Sequence, residues 1–198
     1  MAVITIVAGL ALGAVDLLLQ KSLPYPWANL ANSSAVWAVA AFGLGFWVRS
    51  PWWRAAAAGV VLLVLAVPSY YLTATLVQND AIANVWAPSS LLWMVFGALA
   101  GAVFGTAGAW ARTTGWRQVV GIALPGAVLF AEGLVAVQRD GDADYRRDNL
   151  WIGLIDLALG VLMILIVGRT ARQRLTALAV AVPLALVGWA GFLIGGFG

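Results

Sequence analysis

The 198-residue chain is 63% hydrophobic and only 10% charged, with a formal net charge of +3, whereas soluble domains are about half apolar and about a quarter charged. This composition excludes a soluble globular domain and predicts an integral membrane protein. The chain has neither cysteine nor histidine, which excludes disulfides, thiol nucleophiles, haem, zinc sites and histidine acid–base chemistry. We expect no metal, no cofactor and no nucleic-acid partner.

Seven apolar segments are long enough, or nearly so, to cross a bilayer, which takes about 20 residues. They are 1–20, 33–48, 55–77, 88–111, 118–138, 150–168 and 175–197. The first lacks the basic start and the cleavage site of a signal peptide, so we interpret it as a spanning helix. The second is short, and we expect it to extend into the Asn-Ser-Ser at its start. The sequence thus predicts an all-α polytopic bundle of about seven transmembrane helices.

The basic residues favour one orientation of this bundle. Three alternate loops, 49–54, 111–117 and 168–174, hold seven of the eleven Lys and Arg residues. Cytoplasmic loops carry the excess of Lys and Arg, so these loops and the N-terminus are predicted to be cytoplasmic and the C-terminus outside. The predicted location is the bacterial cytoplasmic membrane.

Internal repeats accompany this layout. SSAVWAV (33–39) matches SSLLWMV (89–95), and WVRSPWWR (47–54) matches WARTTGWR (110–117). We therefore predict a single domain, 1–198, in which the first helix precedes three similar hairpins, 33–77, 88–138 and 150–197. The nearly equal separations of Asp16 from Pro68 and of Glu132 from Pro183 suit a 3+1+3 arrangement as well. Repeats of both kinds occur in transporters.

Two further patterns favour structural interpretations. Gly97, Gly101 and Gly105 recur every four residues, a spacing that lets membrane helices approach closely. The run DGDAD (140–144) faintly resembles a calcium loop, but it has Tyr145 at the sixth position, where a Gly is required, and Trp151 at the twelfth, where a Glu is required. We interpret it as part of a solvated, self-paired loop.

Three acids lie inside predicted spanning segments: Asp16, Glu132 and Asp156. Acids at membrane depth are costly and usually face a bundle interior or a cavity, which makes them functional candidates. Counted from the predicted outer ends at 1.5 Å per residue, all three lie roughly 6–9 Å deep. Because the segment containing Pro183 repeats the scaffold of the Glu132 segment without an acid, we expect Glu132 to be dispensable for the fold.

Aromatic residues accompany these acids. Most tryptophans mark the predicted interfaces, but five aromatic residues lie deeper and are expected to wall a pocket beside the acids: Trp37, Trp93, Trp189, Tyr70 and Tyr71. Pro68 and Pro125 are expected to loosen their helices and help to open this pocket. Because burial disfavours the charged form and no Lys or Arg lies within the helices, at least one acid is expected to be a protonated donor.

A seven-helix protein of this size, with acids in an aromatic membrane cavity and no DDxxD or DxDD motif, resembles the small integral-membrane terpene cyclases. These include the drimentine-type indole-sesquiterpene cyclases and the fungal meroterpenoid cyclases. The resemblance implies an isomerase-type, metal-independent enzyme of terpenoid biosynthesis. It would protonate an alkene or epoxide of a prenyl chain on an acceptor such as an indole, and aromatic faces would stabilise the carbocation.

For such a cyclase, depth and chemistry make Glu132 the favoured proton donor, and Asp16 or Asp156 would tune it or take the final proton. Tyr70, Tyr71 and the three deep tryptophans would shape the prenyl chain. Two alternatives stay open. The protein could bind or transport an amphipathic or cationic small molecule, or it could be a structural factor in which neutral isosteres of the acids are harmless. For a cyclase and for a binding or transport protein alike, the expected partners are membrane lipid and a lipophilic small molecule.

Overall fold

The structure is a computed structural model that describes residues 2–49, 51–139 and 143–195. Asp140 and Asp142 of the predicted DGDAD loop lie outside the described residues. The described chain is all-α and contains no strand. Its elements are α1 (Ala2–Ser22), α2 (Trp27–Ala31), α3 (Ser34–Trp47), α4 (Trp52–Gln78), a 3-10 helix (Ile82–Trp86), α5 (Pro88–Trp110), α6 (Trp116–Gln138), α7 (Ala143–Val167) and α8 (Ala171–Ile194).

Six helices, α1 and α4 to α8, are long and apolar enough to cross a membrane. The predicted polytopic helical bundle is therefore confirmed, and most predicted segments differ from the helices by a few residues at their ends. The largest difference is at the start of α7, which begins at Ala143 instead of residue 150. Pro68, Pro125 and Pro183 lie inside α4, α6 and α8, each of which runs on past its proline.

The second predicted segment is shorter than expected. It includes only the last residue of the Asn-Ser-Ser and forms the 14-residue helix α3, which begins at Ser34. At 1.5 Å per residue α3 is about 21 Å long, whereas the hydrocarbon core of a bilayer is about 30 Å thick. The chain before it turns through Pro24 and Pro26 and forms only the single-turn helix α2. The segment is thus a broken helix of about two-thirds of the spanning length.

The residues group into two compact units. The first comprises Met1–Leu23 and Trp37–Ala109, and the second comprises Pro24–Val36 and Trp110–Gly198. In the first unit α1 packs along α4, with Gly9 and Gly13 against the backbone of Leu62 and Ala66. Glycines also bring α4 and α5 into backbone contact, since a Cβ on Gly101 would meet the carbonyl oxygen of Gly59. The predicted packing role of Gly101 is confirmed.

The second unit is built around α6, which packs against both α7 and α8. Its first segment, residues 24–36, contains the loop that leads into α3. Pairing of α1 with α4 and of α6 with α8 joins the first and third members of each half in the 3+1+3 arrangement. The single domain of three hairpins and the 3+1+3 arrangement both stay predictions.

Candidate functional site

The carboxylate of Glu132 lies at the start of α3. Its Oε2 accepts a 2.6 Å hydrogen bond from the Ser33 hydroxyl and a 2.8 Å bond from the Ala35 N–H, and its Oε1 accepts a 3.2 Å bond from the Ser34 N–H. The Ser33 hydroxyl in turn accepts a 3.0 Å bond from the N–H of Val36. The first N–H groups of a helix have no partner within the helix, and Glu132 and Ser33 together supply those partners.

This cap would allow α3 to begin within the hydrocarbon region of a membrane. Backbone N–H groups have no water to bind in the hydrocarbon region and must be satisfied by the protein. Glu132 lies six residues before the end of α6 at Gln138, a distance of about 9 Å along the helix axis. That is the length by which α3 falls short of the bilayer core. A negative side chain also matches the partial positive charge of a helix N-terminus.

One expectation for Glu132 changes as a result. The side chain was expected to be dispensable for the fold, but it joins α6 to the start of α3 through three hydrogen bonds. The role of Glu132 as the favoured proton donor stays a prediction. The hydrogen bonds that both of its oxygens accept give it a structural role in addition, since they position α3.

Asp156 has the opposite surroundings. Its side chain on α7 is 1% exposed, and within the described part of the chain neither carboxyl oxygen has a hydrogen-bond partner. Glu132 acts on it electrostatically from α6. Buried polar groups are nearly always paired, so an orphaned carboxyl group requires an explanation. An ionised Asp156 in this position would be an uncompensated buried charge.

Glycines surround Asp156 where α6 and α7 meet. A Cβ on Gly133 of α6 would lie 3.2 Å from both the Asp156 Cβ and the Gly153 carbonyl oxygen. About two turns before Gly133 on α6, a Cβ on Gly126 would lie 2.9 Å from the Gly160 carbonyl oxygen. The two helices thus approach closely on either side of the acid, because these positions carry no side chain.

Asp16 belongs to the first unit and has a partner of its own. Its buried carboxyl group accepts a hydrogen bond from the Trp37 side chain and acts electrostatically on Tyr70. The Tyr70 hydroxyl donates a 2.8 Å hydrogen bond to Gln20, and its ring meets that of Tyr71 edge-on with centroids 5.4 Å apart. The predicted association of an acid with aromatic residues is present around Asp16.

The other two deep tryptophans have separate contacts. Trp93 is 38% exposed and meets Phe96 edge-on at 6.2 Å. The indole N–H of Trp189 donates a 2.6 Å hydrogen bond to the side chain of Gln138, at the end of α6. In the second unit, Gly133, the residue after Glu132, approaches Asp156. The residues missed by the sequence argument are Ser33 and the N–H groups of Ser34 and Ala35. The polar Asn-Ser-Ser at the start of a short apolar segment is the sequence feature that could have indicated a helix start held by another side chain.

The chain belongs to the DUF6518 family, a family of unknown function, whose model matches residues 1–195. No curated protein and no solved structure matches the sequence.

Proposed function

We propose that this member of the DUF6518 family is a proton-coupled membrane protein that binds and transports a cationic or amphipathic small molecule, with Asp156 as the group that exchanges its proton. The observation that carries the proposal is the carboxyl group of Asp156, fully buried at membrane depth beside Glu132. The proposed setting is the bacterial cytoplasmic membrane with the N-terminus inside. The partners are lipid and a lipophilic ligand, and no cofactor is required.

The burial of Asp156 favours a proton as its occupant in the present state. Each carboxyl oxygen exposes less than 1 Å², which leaves no room for water or substrate at either atom. Intramembrane acids that are not paired with a cation commonly form proton relays in pumps and transporters. An acid that is sealed off in one state and must exchange its proton in another suits alternating access better than direct attack on a substrate.

The broken helix α3 supports the same class of function. Transporters often place their binding sites where a discontinuous helix ends near the middle of the membrane. Here the end of such a helix is held by Glu132, one residue away from the glycine that contacts Asp156. A cation is the favoured ligand for the state in which Asp156 has released its proton, because no Lys or Arg lies in the interior of the predicted spans to neutralise its charge.

Reconstitution into proteoliposomes tests this proposal. With a pH gradient imposed, wild-type protein should drive accumulation of tetraphenylphosphonium, a lipophilic cation used as the probe. Asp156→Asn should abolish the coupling to the gradient. The matched control is Asp80→Asn, which changes an exposed loop aspartate and should transport as the wild type does. Gradient-driven accumulation that is the same in Asp156→Asn, or absent from the wild type, contradicts the proposal.

A second candidate is the membrane terpene cyclase, and the arrangement around Asp16 favours it. Asp16, Trp37, Tyr70 and Tyr71 place an acid next to aromatic rings, the combination required to protonate a prenyl chain and stabilise the resulting cation. The test is to incubate membranes containing the protein with a farnesylated indole and to look for a cyclised isomer of unchanged mass. Turnover should be lost in Asp16→Asn and kept in Asp148→Asn, which changes an acid of the second unit. A cyclase works in detergent without a gradient, whereas a transporter leaves the substrate unchanged.

A further inference from the structure

The contact between α6 and α7 is a seam of small residues with an acid inside it. We use "α6–α7 seam" for Gly126 and Gly133 of α6 together with Gly153, Asp156 and Gly160 of α7. A Cβ on Gly153 would meet the Val137 side chain, and one on Gly160 would meet the ring of Phe130. Close contact of this kind is how helices associate in lipid, where apolar burial contributes little. The seam is therefore held by van der Waals contact over a short distance, which a small separation would remove.

An ionised carboxylate does not fit this seam when it is closed. In the described chain neither oxygen of Asp156 has a hydrogen-bond donor, and α6 contributes glycines at this level instead of hydroxyl or amide groups. A charge within a membrane helix is costly unless water or a partner reaches it. Ionisation of Asp156 therefore favours a separation of the helices that lets water reach the carboxylate.

The charged side chains on the helices around Asp156 do not compensate an ionised carboxylate. From α6, Glu132 acts on it, and as a carboxylate it repels a second negative charge. On α7 itself, Arg147 and Asp148 lie at least two turns away. On α8, Arg172 and Arg174 lie in the first turn, beyond the far end of α7 at Val167. In the described chain no cationic side chain lies on the same turn as Asp156 in α7.

From this packing we propose that Asp156 controls the α6–α7 seam as a proton-operated gate: the seam is closed when the acid is protonated and opens to water when the acid ionises. This gate deepens the proposed function and rests on it, because it identifies the movement by which the buried proton would be exchanged. In this gate α6 stays in place, because Glu132 ties it to the start of α3. The helix that moves away is α7.

Cysteine accessibility tests the gate directly, since the chain contains no cysteine. Ile152 is buried one turn before Asp156 on the same face of α7, and Ile164 packs against Gly126. Ile152→Cys and, as a second reporter, Ile164→Cys are introduced separately and labelled with a water-soluble maleimide at pH 6 to 9. Rates are divided by those of Asp80→Cys, an exposed loop site, to remove the titration of the thiol itself. Leu154→Cys, 55% exposed on the apolar surface of α7, controls for general loosening.

The ionised fraction of an acid rises about tenfold per pH unit until half of the protein has lost the proton. The normalised labelling rate of either reporter should therefore rise about tenfold per pH unit until half of the protein is ionised. In a protein that also carries Asp156→Asn, the normalised rate should not change with pH. Labelling that is flat in the presence of Asp156, or that rises equally with Asp156→Asn, overturns the gate. Failure of the gate is distinguishable from failure of the proposed function. If labelling of the seam depends on Asp156 but tetraphenylphosphonium is not transported, the proposed function is wrong and the gate stands. If transport depends on Asp156 but labelling is flat, the gate is wrong and the proposed function stands.

Discussion

The hydroxyl of Ser33 donates a 2.6 Å hydrogen bond to Oε2 of Glu132, a residue 99 positions further along the chain. The same hydroxyl accepts the N–H of Val36 in the first turn of α3. One side chain thus caps a helix and ties that cap to α6, six residues before the end of that helix. Because α3 begins about 9 Å below the end of α6, this pair of residues would satisfy a helix terminus that lies within the hydrocarbon region.

Ser33→Ala should lower the free energy of unfolding by about 1–3 kcal/mol, because it removes the N-cap hydroxyl and one hydrogen bond to a carboxylate. Its neighbour provides a matched control. Ser34 contacts Glu132 through its backbone N–H, so Ser34→Ala should change stability by less than about 0.5 kcal/mol. Denaturant titration in mixed micelles measures both variants. If both variants lost the same free energy of unfolding, the hydroxyl of Ser33 would not stabilise the protein through these hydrogen bonds.

Glu132→Ala should be more severe than Ser33→Ala, because it leaves two N–H groups and a hydroxyl without their acceptor. Each unsatisfied buried group costs about 1–3 kcal/mol. Glu132→Gln, which keeps one acceptor oxygen, should lie between the wild type and Glu132→Ala. Added formate should raise the unfolding temperature of Glu132→Ala in a saturable manner, since it can occupy the vacated carboxylate position, and should leave that of Glu132→Gln unchanged. A formate effect of the same size on the wild type would exclude specific replacement.

The six long helices follow from hydropathy and length, and even the short α3 has a signal in the sequence. The two Ser-Ser motifs, at 33 and 89, are 56 residues apart, while the matching tryptophans, 47 and 110, are 63 apart. Seven residues, about two helical turns, are missing between the motifs in the first copy. The repeat therefore implied that α3 is about two turns shorter than α5, and the 14- and 23-residue helices differ in that direction.

The partners of the acids could not be read from sequence in the same way. Counting residues from the helix ends gives Asp16, Glu132 and Asp156 the same depth. The structure distinguishes them, because Asp16 accepts a hydrogen bond from Trp37 and Glu132 caps α3. In the part of the chain that the structure describes, the third is left without a partner. The difference arises from which side chain meets which helix end, and that depends on the rotation of α6 and α7 about their axes. The expected roles of Trp93 and Trp189 beside an acid stay predictions.

The glycine contact between α4 and α5 offers a comparison of two helical glycines. A Cβ on Gly101 would meet the backbone of Gly59, so Gly101→Ala must separate the helices and should cost about 1–3 kcal/mol, as overpacking does. Gly43 in α3 has no described atom within 4 Å of an added Cβ. Gly43→Ala should therefore be neutral or stabilise by up to about 1 kcal/mol through helix propensity. Thermal unfolding in detergent distinguishes the two, and similar effects would contradict the contact.

Asp156 should be the acid most readily modified by the hydrophobic reagent dicyclohexylcarbodiimide, which reacts with protonated carboxyl groups in apolar surroundings. Mass spectrometry of peptides should show labelling of Asp156 that falls as the pH rises, because the reactive form is the protonated one. Glu132, whose two oxygens accept three hydrogen bonds, should label much less, and exposed Asp80 should not label. Asp156→Asn should leave the unfolding temperature nearly unchanged, since it replaces an acid without a hydrogen-bond partner by a neutral side chain of the same shape. Labelling of Glu132 in preference to Asp156, or a strongly destabilised Asp156→Asn, would show that Asp156 has a partner in the native state and is not the proton-exchanging group.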